Sequence, residues 1–269
     1  MHEVELALHD SAWPDGEFVL SLAGVAAAGY RAIEVRSDVV PLYEDRVHVF
    51  QEMLAQQGVT LVAVETRLRP MTLDILEEEV ERCANVARFL RANKAEILVL
   101  HPPERRSEGD EKDDMGLAIE AMSQIGKRTL DLDVRTCVHP EYGTIAESKR
   151  TVEKVLALTD ARHVRVCADV GFLTAAGMSV LHFLRKYKSR VDYIHLRDIR
   201  KPRARKRRPA RPEPAQFGKG AVGIEAVAKV IEGIDYSGWV TVEIPGPVDN
   251  PVEAALSARE ITRRALGLL

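Results

Sequence analysis

The sequence is sparing with three things, and each shortage narrows what it can be. It carries 3 cysteines in 269 residues. They follow no disulfide-like spacing, and Cys137 and Cys167 fall inside apolar strand-like runs, so a reduced, cytoplasmic chain is expected. Charge of one sign is not in excess: the formal net charge is -3, which argues against a generally basic surface for nucleic acid. Long apolar runs are missing too. Nothing approaches the ~20 residues that cross a bilayer, and the start, Met1-His-Glu-Val-Glu, has no basic segment leading into an apolar one. No membrane partner is expected, and the chain reads as soluble and unprocessed.

What the sequence has is alternation. Short apolar runs at 4–8, 32–35, 60–64, 96–100, 134–138, 164–168, 191–196 and 239–242 read as strands. Between them lie helical patterns at 18–28, 44–57, 73–93, 113–131, 148–158, 179–187 and 224–231, and a last one spans 251–266. A βα unit repeated about eight times, in a chain 46% hydrophobic, predicts one (β/α)8 barrel, a TIM barrel over residues 1–269; an open doubly wound sheet is the next choice. Gly29, Gly58 and Gly238 precede strands, where a helix would end in a left-handed residue, and Pro251 suits the first turn of the last helix. One tract breaks the pattern. Arg200-Lys-Pro-Arg-Ala-Arg-Lys-Arg-Arg-Pro-Ala-Arg211 is too charged and proline-broken to pack, so residues 200–216 are expected to form a mobile loop over the barrel mouth.

The carboxyl ends of barrel strands face the active site. The strands deliver His9 and Asp10, Glu34 and Arg36, Glu65 and Arg67, His101, His139 and Glu141, Asp169, His195 and Asp198, and Glu243. Imidazoles and carboxylates converging from separate strands suit one divalent ion, Mn²⁺, Mg²⁺, Co²⁺ or Zn²⁺. Asp169, His195 and Glu243 each end an apolar run, where an unpaired ion costs several kcal/mol and a shared metal would neutralise all three. For Glu34, Glu65 and His101, salt bridges with Arg36 and Arg67 explain the residues as well as a substrate does. Asp198 is expected either to orient His195 or to cap a helix. His48, His163 and His182 read as surface or packing residues.

Six segments together carry a resemblance: Gly29-Tyr-Arg-Ala-Ile-Glu-Val35, His139-Pro-Glu-Tyr-Gly-Thr144, Cys167-Ala-Asp-Val-Gly171, Ile194-His-Leu-Arg-Asp198, Phe217-Gly-Lys-Gly220 and Tyr236-Ser-Gly-Trp-Val-Thr-Val-Glu243. In this order the chain resembles the xylose isomerase-like barrel superfamily, in particular the sugar phosphate isomerase/epimerase group that includes inosose and dehydroshikimate dehydratases. The resemblance implies one divalent metal held by Asp169, His195, Glu243 and a fourth ligand. That fourth position is a Glu in the family and His139 here, with Glu141 two residues on; either fills it. The resemblance also implies a His at position 172, where this chain has Phe172.

The expected reaction is proton abstraction α to a carbonyl in a small sugar, sugar phosphate or related polyol ketone, with Glu243 or Glu141 moving the proton. Glu34, Glu65, His101, Arg197 and Phe172 are the expected substrate contacts. Isomerisation or epimerisation leads, and dehydration of an inosose or dehydroshikimate type is the alternative. Two readings of other classes remain: a sugar-binding barrel without turnover, and an abasic-site endonuclease, for which the additional histidines are missing apart from His101. A homo-oligomer is compatible with the group, and nucleic acid is not an expected partner.

Overall fold

The computed structural model describes residues 4–106, 111–202 and 210–268. Eight strands run in chain order around a closed barrel, each parallel to its neighbours. They are β1 Val4–His9, β2 Ala32–Arg36, β3 Thr60–Arg67, β4 Ile97–His101, β5 Arg135–Val138, β6 Val164–Asp169, β7 Val191–Leu196 and β8 Gly238–Val242. The barrel closes where Val4 to Leu8 of β1 pair with Gly238 to Val242 of β8. The expected TIM barrel is therefore the observed fold.

The helices are α1 Phe18–Ala27, α2 Val40–Tyr43, α3 Val47–Gln57, α4 Leu76–Ala92, α5 Glu111–Leu130, α6 Lys149–Leu158, α7 Val170–Ala175, α8 Val180–Lys186, α9 Ile224–Gly233 and α10 Pro251–Ala265. Their apolar faces pack on the outside of the barrel in one continuous layer that includes Leu22, Phe50, Phe89, Leu90, Met122, Phe183 and Ile231. A smaller cluster, Ala7, Ala32, Val62, Ala63, Ile97, Val99, Cys137, Cys167 and Tyr193, fills the barrel itself. Small side chains on β1, β2 and β3 face larger ones on β4 and β7, so the interior is packed rather than hollow.

Three joints follow the expected chemistry and one does not. Gly58 (φ 62) ends α3 in the left-handed conformation and Gly29 (φ 79) follows α1. Gly238 instead begins β8 at φ 140, and the left-handed residue after α9 is Asp235 (φ 57), a type of residue that tolerates that region. Pro251 opens α10 as expected. The six-residue α7 has no counterpart in the sequence reading, because Val170-Gly-Phe-Leu-Thr-Ala continues the apolar run of β6 without a periodic signal.

The centre of the basic tract, residues 203–209, lies outside the described residues, so the expected mobile loop is described only at its feet. There Ile199 bridges Pro214 in antiparallel fashion and the Arg200 N–H donates to the Glu213 carbonyl at 2.8 Å. Among the described residues no helix is long and apolar enough to cross a membrane.

Candidate metal centre at the barrel mouth

Strand alternation sets the side chains of the mouth. On β6, Cys167 and Asp169 share a face; on β7 and the residue that follows it, Tyr193, His195 and Arg197 do. Asp169, His195, His139 and Glu34 are all at most 2% exposed, and such groups must find partners.

His195 is held from below. Its Nε2 lies 2.8 Å from Glu34 Oε2, the same oxygen that accepts from the Tyr193 hydroxyl at 2.9 Å. This carboxylate fixes the ring and leaves Nδ1, 3.5 Å from Glu243 Oε2, without a hydrogen bond. Burial alone would lower the His195 pKa, but Cys167 and Glu34 outweigh it and raise it well above the ordinary value. Glu34, expected to touch substrate, is fully buried, with Oε2 on His195 and Oε1 without a hydrogen bond. Asp198 does not orient His195, nor does it cap a helix. Its carboxylate accepts from the backbone N–H groups of Ile199, Gly220 and Val222 at 2.9, 2.7 and 3.2 Å, clasping the loop after β7.

Opposite His195, the residue after β5 places His139 Nε2 3.5 Å from Asp169 Oδ2. Neither ring nitrogen of His139 has a hydrogen-bond partner, and the same is true of Asp169 Oδ2, His195 Nδ1 and Glu243 Oε2. Burial, reinforced by the neighbouring His101 and His195 rings, keeps the His139 pKa well below the ordinary value, so the ring is neutral and free to donate a lone pair. Donor atoms of His139, Asp169 and Glu243 lie within 4.8 Å of one another. Two donors each bonded at about 2.1 Å to one tetrahedral ion sit about 3.4 Å apart. The two 3.5 Å separations match that spacing, and buried polar atoms without partners call for such an explanation. The residues fit a divalent ion.

Arg197 is the resident cation of this cluster. Its guanidinium pairs with Asp169 Oδ2 and, at 3.2 Å, with Glu243 Oε1. A Cβ on Gly171 would meet Arg197 Cγ at 2.6 Å, so the glycine after Val170 makes room for the side chain. Burial would raise the Glu243 pKa, but Arg197 and then His195 hold it down at about 2. The other carboxylate of the cluster responds differently: burial raises Asp169 despite Arg197, because Glu243 is close.

The other side of the mouth is a separate network. Glu65 Oε2 lies 3.0 Å from His9 Nε2 and 3.2 Å from His101 Nε2. Glu141 Oε2 meets His101 Nδ1 at 2.9 Å and Arg67 Nη1 at 2.5 Å. Of the two residues expected to compete for the fourth ligand position, His139 faces Asp169 and Glu141 faces His101. Burial pulls both His9 and His101 down, but Glu65 with Glu34 and Asp10 lifts His9, and Glu65 with Glu141 lifts His101, each to about 9. A proton added to His9 Nδ1 would displace the Ser11 N–H that donates to it at 2.9 Å. Glu141 is held at about 2, its burial overcome by His101 and Arg67. The His101 ring stacks on His139, centroids 4.2 Å apart, and so joins the two networks.

Phe172 stands apart. Its side chain is 1% exposed and belongs to the apolar layer under the helices, and it offers the mouth only its backbone N–H, which donates to Asp169 Oδ1 at 3.0 Å. It is not placed to touch a substrate. The alternation of β6 and β7 could have pointed to two inward residues that the sequence reading passed over, Cys167 and Tyr193. A cavity of about 410 Å³ adjoins the cluster at Glu243, lined also by Asp198, Phe217, Ile244, Asn250 and Ser257.

The inosose dehydratase of Clostridium beijerinckii is 22% identical over 279 aligned residues, covering 94% of this chain and 91% of that protein. Among solved structures, D-psicose 3-epimerase with D-tagatose from Clostridium cellulolyticum H10 superposes with a TM-score of 0.79 at 14% identity, covering 97% of this chain and 99% of that one. The IOLI protein with a bound zinc atom gives 0.76 at 13% identity and 98% of each chain. The profile of the xylose isomerase-like TIM barrel family matches residues 22–265. The chain belongs to the xylose isomerase-like TIM barrel family.

Proposed function

We propose that this protein is a metal-dependent enzyme that removes the proton α to the carbonyl of a small polyhydroxylated ketone, with His139, Asp169, His195 and Glu243 holding one divalent ion. The observation that carries the reading is that His139, Asp169, His195 and Glu243 each leave a buried atom without a hydrogen bond, with donor atoms of His139, Asp169 and Glu243 within 4.8 Å of one another. A divalent ion bound there supplies a Lewis acid that lowers the cost of negative charge developing on the carbonyl oxygen. The surrounding residues divide the remaining work. Glu34 keeps the His195 ring in orientation, and Arg197 neutralises Asp169 and Glu243. Glu243, ionised at neutral pH, is the base for the α-proton, and Glu141 is held by Arg67 beside His101.

The fate of the resulting enediolate distinguishes the possible products. In dehydration its electrons expel a β-hydroxyl, which must gain a proton to leave as water. His101, lifted to about 9 by Glu65 and Glu141 and stacked on His139, is the protonated group assigned to that acid. This feature and the inosose dehydratase relatives favour dehydration. The second reading is isomerisation or epimerisation, which shares the first step and returns the proton to carbon. It is favoured by two ionised carboxylates at the ends of different strands, Glu243 after β8 and Glu141 after β5.

The test is incubation with a panel of inososes, dehydroshikimate and ketoses in deuterated water with Mn²⁺, Co²⁺ or Zn²⁺. Dehydration is expected to release water and give an unsaturated or dicarbonyl product, whereas an epimer carrying solvent deuterium would establish the second reading. Asp169→Asn should lose bound metal and about a thousandfold in kcat/KM. Exchange or turnover that persists unchanged without metal would remove the basis of both readings.

A further inference from the structure

Cys167 precedes Asp169 by two residues on β6, on the same inward face and one step deeper in the barrel. Donor atoms of His139, Cys167 and His195 lie within 4.8 Å of one another, and all three residues are buried. His139 belongs to both this trio and the carboxylate cluster, and supplies an independent observation. It is 2% exposed, its Nε2 lies 3.5 Å from Asp169 Oδ2, and neither ring nitrogen has a hydrogen-bond partner. The His139 and His195 rings stand with centroids 4.9 Å apart at 58°, with Cys167 against His195.

From this arrangement we propose that Cys167 is a thiolate ligand: the ion held by His139 and His195 takes Cys167 Sγ as a further donor, making the centre selective for Zn²⁺ or Co²⁺ over Mg²⁺. The inference rests on the metal reading above and sharpens it. Binding converts the thiol to a metal thiolate and releases one proton to solvent, so charge and atoms balance without an oxidant. Oxygen donors alone suit hard ions, whereas two imidazoles and a thiolate suit borderline and softer ones. His139, in the position where a carboxylate was expected by family resemblance, moves the donor set in the same direction.

Cobalt titration of metal-stripped full-length protein tests it directly, read by absorption rather than activity. Co²⁺ is expected to give visible d–d bands together with a near-ultraviolet thiolate-to-cobalt charge-transfer band. Cys167→Ser should keep visible bands, lose the charge-transfer band, and bind Zn²⁺ at least about tenfold more weakly. Cys137→Ser, which removes the other thiol of the barrel interior, should keep the charge-transfer band. Visible bands without charge transfer in the unaltered protein, or charge transfer that survives Cys167→Ser, would overturn the thiolate while leaving a metal centre. Absence of any cobalt spectrum would overturn the metal reading itself and this proposal with it. Equal affinity of the unaltered protein for Mg²⁺ and Zn²⁺ would also overturn the selectivity.

Discussion

The two sides of the barrel mouth use the same residue types to different ends. On one, His9, Glu65 and His101 are joined by Glu141 and Arg67 into a chain of contacts at 2.5 to 3.2 Å. On the other, His139, Asp169, His195 and Glu243 leave donor atoms buried without hydrogen bonds, at separations near 3.5 Å. Imidazoles and carboxylates at strand ends therefore do not identify a metal centre by their chemistry alone. The distinction lies in how far they satisfy one another: of the first group His101 Nε2 is left without a hydrogen bond, 3.2 Å from Glu65, whereas each of the four residues of the second leaves such an atom, although Arg197 pairs with Asp169 and Glu243. Glu34 bridges the two sides, its Oε2 serving His195 while His9 lies 4.0 Å from Oε1.

The strongest way to break this comparison is to unbalance the side of His139 and Asp169. Arg197→Met keeps much of the stem but leaves Asp169 and Glu243 without their buried cation, so chelator-treated protein should lose about 3–5 kcal/mol of stability in urea denaturation. Saturating Zn²⁺ should restore most of it. Equal destabilisation with and without the ion would mean that the cluster holds none.

On the other side, His101→Gln should lower kcat/KM about a hundredfold without changing metal content. In the unaltered enzyme His101 is an acid lifted to about 9, so activity should be present below that pH and decline as pH rises through it. The variant should lack that alkaline limb. The same shift has a sign for stability: the folded ring holds its proton above the ordinary value of 6.5, so its contribution is complete below 6.5 and fades as pH rises through about 9. An alkaline limb that survives His101→Gln would assign it to another group. The smallest effect belongs to Phe172→Leu, expected to cost about 1 kcal/mol of stability with KM unchanged, because its ring packs in the outer layer. A large KM change would place Phe172 at the substrate after all.

Much of this arrangement was legible in the sequence because strands have a period of two and buried parallel strands read as apolar runs. Asp169 and His195 end such runs, and Glu243 immediately follows one. What escaped was pairing. Nothing in the spacing says that Glu34 on β2 reaches His195 on β7, 161 residues away, or that Arg197 spans Asp169 and Glu243. Closing the barrel creates those contacts. Cys167 escaped for another reason: an apolar run hides a thiol that faces the same way as the carboxylate two residues on. Phe172 was misplaced because α7 begins directly after Asp169, and the helical turn rotates the ring outward to the apolar layer.

The Asp198 clasp has a consequence for how this chain can change. A Cβ on Gly220 would fall 2.1 Å from Asp198 Oδ1 and 2.4 Å from the Ile199 carbonyl oxygen, so the two ends of the β7–α9 connection meet at a point that admits no side chain. That junction is held by the Asp198 carboxylate at three backbone N–H groups, so changes elsewhere in the connection meet a fixed point before they reach β7. The barrel can thus accept new peptide in this connection, for substrate choice or for attachment, without re-registering the residues on which its chemistry depends.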